Sequence, residues 1–290
     1  MTTAVHIVSW SGLPDGSPDD QALLAALRGR GTTARIVAWD DEAVDWAAAP
    51  VTVLRSTWNY HLHPDAFERW LARVAPVTRL VNDAATVRWN MRKSYLAELA
   101  ARGLATVPTL FVGRGERVDL GAVRAERGWG ELVVKPLISG SAHGAKRFET
   151  GGEEHAAALA DDVGAMVQPF MAAVLDARER SLVFLSGRFS HAYLKPAFSP
   201  GMAGGVPEER AHLPTPGEMA LAQSCIAAAP SPPAIARVDT VPGADGPLLM
   251  ELELIEPALF LHLAPGSADR LADAVLGTDR QESPAMPAAA

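Results

Sequence analysis

A single cysteine, Cys225, stands in this chain of 290 residues, which excludes an internal disulfide framework and any multi-cysteine metal cluster. It falls in "GEMALAQSCIAAA", which reads as a helix, so Cys225 is expected to fill core space and not to act as a nucleophile. No apolar run reaches the roughly 20 residues that a membrane span requires. There is no dense basic tract either, and the formal net charge of −8 argues against nucleic acid or an anionic membrane surface as a partner. The opening "MTTAVHIVSW" lacks a basic segment followed by a long apolar stretch, so no signal peptide is expected and a cytoplasmic location is. No internal repeat is visible. What remains is an enzyme or binding protein that handles small molecules; a homodimer is compatible with this composition.

The chain is 48% hydrophobic and 21% charged, ordinary for a globular protein, and its length suggests about two domains. "AVHIVSW", "ARIVAW" and "VTVLRSTW" read as buried strands. Between and after them lie helices with Leu23, Leu24 and Leu27, and then Phe67, Trp70, Leu71 and Val74, on one face. Strands alternating with helices predict a small parallel α/β domain over residues 1–85. "TVRWNMRKSYLAELAARG" reads as one helix with Thr86 as N-cap and Gly103 as its stop. After Pro108 the texture becomes antiparallel, with hairpins in "SLVFLSGRFSHAYLK" and "AIARVDTVPGADGPLLMELELI". This second domain is expected over 86–280, with a smaller lid at about 105–170. The Pro- and Gly-rich 197–216 segment reads as a long loop, and 281–290 as a flexible tail.

Two stretches carry chemistry. In "LVVKPLISGSAHGAKRF", at 132–148, an apolar strand ends in Lys135 and opens into Ser139, Gly140, Ser141 and Gly144. Backbone N–H groups of such a loop can approach a phosphate while a lysine supplies charge, and a hairpin with a solvated tip is the bland alternative. No Gly-Lys-Ser/Thr follows, so this is not a Walker A element. In "ARVDTV…LLMELELIEP", strand alternation puts Arg237 with Asp239, and Glu251 with Glu253. A hairpin folded about Asp245 sets Asp239 opposite Glu251 and Arg237 opposite Glu253, with Val238, Leu252 and Leu254 facing the core. Opposed carboxylates are unfavourable in a sheet unless a cation sits between them, and magnesium takes one or two carboxylates together with substrate phosphates. A solvated face held by Arg–Glu pairs remains the alternative.

Six segments in this order, "RSTWNYHLHP", "LVNDAATVRWNMRKSYL", "VVKPLISGSAHG", "VQPF", "RERSLVF" and "ARVDTV…MELELIEP", resemble the ATP-grasp carboxylate–amine ligases. Among these they look most like the small bacterial cyclo-ligases that form cycloserine from O-ureidoserine. The resemblance runs from about Arg55 to Leu263. It implies an α/β pre-ATP-grasp domain followed by α+β ATP-grasp domains, with ATP between two antiparallel sheets. It also implies phosphorylation of a carboxylate and attack by an amine on the acyl phosphate. By the same resemblance Lys93 and Lys135 would hold phosphates and the 139–144 loop, with His143, would close over them. Gln168, Pro169 and Phe170 would form the adenine linker, and Glu179 would bind the ribose. Arg237 would stabilise the transferring phosphoryl group, Asp239, Glu251 and Glu253 would hold magnesium, and Lys195 is a further phosphate contact or a solvated strand end.

The sequence departs from the family pattern in places. Glu253 replaces a common asparagine and would favour a second cation. Gln168 replaces a common acid, and Pro169 has no N–H, which leaves the adenine contact to the Phe170 N–H. Ala142 and His143 stiffen the glycine loop, and no motif in 197–216 aligns. His143, His191 and His212 are candidate acid/base groups, and His143 is the one placed over the phosphates. Arg55, Trp58, Asn59 and Tyr60 end a strand where open α/β sheets bind ligands. Arg55 would clamp a small carboxylate, while Trp58 and Tyr60 either line the site or pack the domain seam. A ligase, a small-molecule kinase and a non-catalytic nucleotide-binding regulator stay open. The intact charged patch argues against the regulator.

Overall fold

The computed structural model describes residues 3–195 and 209–278; the expected tail and residues 197–208 of the expected loop lie outside them. Strands β1 (Ala4–Ser9), β2 (Thr33–Ala38), β3 (Val51–Leu54) and β4 (Arg79–Val81) form a wholly parallel sheet in the order β2-β1-β3-β4. The helix Pro18–Gly29 starts on a capping box in which Ser17 and Asp20 satisfy each other's N–H groups. It buries Leu23, Leu24 and Leu27, and the helix Pro64–Val74 buries Phe67, Trp70, Leu71 and Val74, each as the spacing predicts.

The helix expected from Thr86 to Gly103 is two helices, Ala84–Met91 and Tyr95–Ala101. Asp83, not Thr86, is the N-cap, since its carboxylate accepts the Thr86 N–H at 2.9 Å. Between the helices Arg92 is extended, and the Lys93 N–H donates to the Leu137 carbonyl at 2.8 Å. That capture breaks the helix and turns Lys93 inward.

Strands β5 (Leu110–Val112), β6 (Leu132–Pro136), β7 (Lys146–Phe148) and β8 (Ala165–Pro169) form an antiparallel sheet ordered β5-β8-β6-β7. A second antiparallel sheet holds β9 (Glu179–Leu185), β10 (Arg188–Lys195), β11 (Arg210–Ala211), β12 (Ile235–Gly243) and β13 (Gly246–Glu253), ordered β11-β10-β9-β12-β13. The β9–β10 turn is Ser186-Gly187, with φ of 48° and 73° at its two residues, the left-handed pair a two-residue hairpin needs. Cys225 lies buried in the helix Pro216–Ala227 against Leu182, Val238 and Leu252. The parallel sheet and the larger antiparallel sheet share one core, in which Ile7, Val53 and Leu23 meet Val183, Tyr193 and Ile235. Asn82 ties the two together: its amide donates to the Ile235 and Leu254 carbonyls and accepts from the Ala234 N–H.

Candidate active site

A cavity of about 700 Å³ opens between the two antiparallel sheets, within the usual size range of small-molecule sites. Its floor is the β12–β13 hairpin. Arg237 pairs with Glu253 and Asp239 with Glu251, the register expected at the site. The turn differs from the expected one. Gly243 pairs with Gly246 around Ala244-Asp245, and a bulge at Met250 restores the register before Glu251 is reached. Val238, Leu252 and Leu254 are buried on the opposite face.

One oxygen from each of Asp239, Glu251 and Glu253 lies within 4.8 Å of the others. Three cations neutralise this cluster. Lys93 pairs with Glu251 and also donates to the Ser139 carbonyl. Lys195 bridges Asp239 at 2.6 Å and Glu179 at 2.9 Å. Arg237 reaches Asp239 at 2.9 Å and Glu253 at 2.5 Å, and Ser181 Oγ adds a 2.6 Å bond to Asp239. Burial alone would raise Asp239, but Arg237 and Lys195 hold it far below the usual carboxylate range. Glu253 goes the other way, to about 7, because burial and the neighbouring Glu251 and Asp239 outweigh Arg237. A cluster of hard carboxylate oxygens this close together suits a divalent cation such as magnesium. Among the described residues it is the only three-carboxylate group of this kind.

Lys135, on β6, lines the same cavity and has no carboxylate partner among the described residues. Its Nζ contacts Met250 Sδ at 3.6 Å, and burial lowers its pKa. The 139–144 loop follows, and Ser139, Gly140 and Ser141 line the cavity. Ser141, Ala142 and Gly144 have φ of 50°, 55° and 72°. Only the last is relaxed there, so the loop holds strain at two side-chain-bearing residues. His143 is not among the lining residues; its ring sits 5.2 Å from that of His61. Gly144 also lies outside the lining, its carbonyl bonded to His155 Nε2 at 2.8 Å.

Gln168, Pro169, Phe170 and Met171 line the lid side, and Glu179 the base. Gln168 is buried, its amide donating to Thr109 Oγ1 at 2.9 Å. The Phe170 N–H does not face the cavity as expected: it donates to the Glu131 carbonyl at 2.8 Å, extending the β6–β8 pairing, while its ring stacks under Arg147 at 3.7 Å.

Trp58 and Tyr60 line the cavity; Arg55 does not. Arg55 is 1% exposed, 3.5 Å from the fully buried Asp20, and donates to the Pro257 carbonyl at 2.9 Å. Its guanidinium is therefore an internal strut and not a substrate clamp. Asn59 is likewise internal, bonded to Trp39 Nε1 at 2.7 Å. His191 bonds the Leu259 carbonyl at 2.7 Å, and His212 the Glu218 carboxylate of a helix cap at 3.0 Å, so neither serves the cavity. Sequence reasoning missed Glu256. It lines the cavity, and burial with the nearby Glu253 pushes its carboxyl up to about 8. The visible signal was its place three residues beyond Glu253, outside the strand alternation that picked out the other carboxylates.

Comparison with known proteins shows the family. The family model described as the D-cycloserine synthetase DcsG N-terminal domain matches residues 5–82. The cycloserine biosynthesis protein DcsG of Streptomyces lavendulae is 34% identical over 284 residues, covering 89% of this chain and 92% of that protein. The crystal structure of D-cycloserine synthetase DcsG has a TM-score of 0.87 at 32% identity, covering 95% of this chain and 99% of the other. The RimK domain ATP-grasp protein of Sphaerobacter thermophilus has a TM-score of 0.66 at 20% identity, covering 95% of this chain and 100% of its own. The D-alanine–D-alanine ligase of Bacillus anthracis complexed with ATP has a TM-score of 0.69 at 14% identity, covering 96% and 97%. The last two likenesses show the fold alone. With a relative this similar along nearly its whole length, the chain belongs to the DcsG family of ATP-grasp ligases.

Proposed function

We propose that this cavity binds ATP and a small amino-acid-like carboxylic acid, and that the enzyme activates the acid as an acyl phosphate for attack by an amine. A carboxylate oxygen attacks the γ-phosphorus and ADP leaves. The amine then attacks the acyl carbon and phosphate leaves. The amine can belong to the same molecule, as formation of the ring named in the DcsG relative would require. The observation that carries this reading is the convergence of Lys93, Lys135, Lys195 and Arg237 with Glu251 and Glu253 on one cavity, with the fully buried Asp239 not among the lining residues but within 4.8 Å of both glutamates. Phosphoryl transfer needs positioned positive charge more than it needs a nucleophilic side chain.

In this reading Lys135 is the cation most available to phosphate, because no carboxylate among the described residues claims it. Lys93 and the 139–144 loop border it. Arg237, held in place by Asp239, Glu253 and the Ala258 carbonyl, meets charge developing on the transferred group. Asp239, Glu251 and Glu253 would hold magnesium, which when bound neutralises phosphate charge; the three carboxylates leave room for a second ion. The base lies toward Gln168, Pro169 and Phe170, and the amide of Met171 stands in for the occupied Phe170 N–H. Glu179 would accept from the ribose. Trp58 and Tyr60 border the acid. Phosphorus NMR of a turnover mixture tests the reading: ADP with inorganic phosphate supports it, and AMP with pyrophosphate overturns it.

A further inference from the structure

Residues 256–260 enter the cavity wall without regular secondary structure, and side chains from elsewhere hold their backbone through to Leu261. The Glu256 carbonyl accepts from Trp58 Nε1 at 3.1 Å and the Pro257 carbonyl from Arg55 at 2.9 Å. The Ala258 carbonyl accepts from Tyr193 Oη at 2.9 Å and Arg237 Nη1 at 3.1 Å, and the Leu259 carbonyl from His191 Nε2 at 2.7 Å. The Asp19 carboxylate accepts the N–H groups of Leu259, Phe260 and Leu261 at 2.8, 2.9 and 2.8 Å. Phe260 is held at φ 51°, a conformation a phenylalanine adopts only when its surroundings impose it. The backbone is fixed, and Glu256 is aimed from it into the cavity.

Glu256 is the exception among the carboxylates there. Glu179 has Lys195, Glu251 has Lys93, and Glu253 has Arg237. Among the described residues the Glu256 carboxylate makes no hydrogen bond or ion pair, and Lys93 acts on it only at a distance. It stands outside the three-carboxylate cluster. A side chain on Gly140 would come within 3.9 Å of it, so it reaches to the edge of the 139–144 loop. Its main chain is bonded while its half-buried side chain opens onto the cavity with its oxygens accessible. We propose, resting on the ligase reading above, that Glu256 binds the ammonium group of the acid substrate between Trp58 and Tyr60, and so selects amino acids over their uncharged counterparts. A carboxylate in a cavity that Trp58 and Tyr60 also line is a fitting receptor for a small cation.

The test uses O-ureidoserine and the 2-hydroxy acid that carries a hydroxyl in place of its ammonium, titrated by calorimetry into the full-length protein holding ADP and magnesium. The parent is expected to bind the amino acid at least tenfold more tightly. Glu256→Gln is expected to bring the two within about threefold while leaving ADP affinity unchanged, and Glu256→Asp to recover part of the preference. A parent without the tenfold preference overturns the proposal, including one that binds neither compound. So does a Glu256→Gln variant that keeps the preference. The parent ratio decides alone if the glutamine variant fails to fold. Selective binding without ATP-dependent hydroxamate formation would leave Glu256 as the ammonium site and sink the ligase reading instead.

Discussion

Asp239 and Glu251 face each other across β12 and β13 because Met250 is bulged out of the ladder between them. The two-residue turn at Ala244-Asp245, continued without interruption, would set Asp239 opposite Met250. A one-residue slip in a strand exchanges its two faces, so Glu251 and Glu253 would turn toward the core that Leu252 and Leu254 now fill. The bulge keeps the carboxylates on the cavity side and adds Met250 to it, beside Lys135.

The lysines at this site should separate cleanly by substitution. Lys135 has no carboxylate partner among the described residues, so Lys135→Met should leave thermal stability unchanged or slightly raised while turnover falls at least a hundredfold. Lys195→Met removes a partner from the fully buried Asp239 and should cost about 2 kcal/mol or more of stability as well as activity. Thermal melts of both variants without ligand, beside steady-state ADP release, check the contrast. Equal melting losses would contradict it.

Glu253 predicts a pH dependence. Its folded pKa of about 7 exceeds the ordinary 4.5, so its contribution to stability is complete below 4.5 and is lost as pH rises through 7. Binding of a divalent cation needs the ionised form. Magnesium affinity should therefore climb about tenfold per unit between pH 5.5 and 7, since one proton leaves per ion bound, and level off above. Glu253→Asn should flatten this slope while still binding the ion. Calorimetric titrations with ADP present read both.

Arg55 tests the correction made by the structure. As an internal strut paired with Asp20, its replacement by methionine should remove roughly 3 kcal/mol, a drop of about 5–10 °C in Tm. A variant with the parent's Tm and a raised KM would restore Arg55 to substrate binding.

His143 should be dispensable to the chemistry. Its ring faces His61 outside the cavity lining, so His143→Ala is expected to keep kcat within threefold. A hundredfold loss would place it back over the phosphates.

The parallel sheet, both hairpins and the carboxylate register were legible in the sequence because strand alternation and turn residues are local signals. Arg55 was misread for a general reason: a strand-end arginine looks the same whether its partner is a substrate or Asp20, 35 positions earlier. The break at Lys93 was invisible because it depends on the Leu137 carbonyl, a tertiary contact. Glu256 escaped notice because its position is set by side chains as distant as Asp19 and His191, which no local pattern encodes.

The most direct measurement is interception by hydroxylamine. The protein is incubated with ATP, magnesium, O-ureidoserine and hydroxylamine, and the hydroxamate and ADP are quantified together. The account predicts hydroxamate formed in step with ADP and lost in Lys135→Met. ADP released with a stable phosphate ester and no hydroxamate would mean a kinase acting on a hydroxyl, and would contradict carboxylate activation.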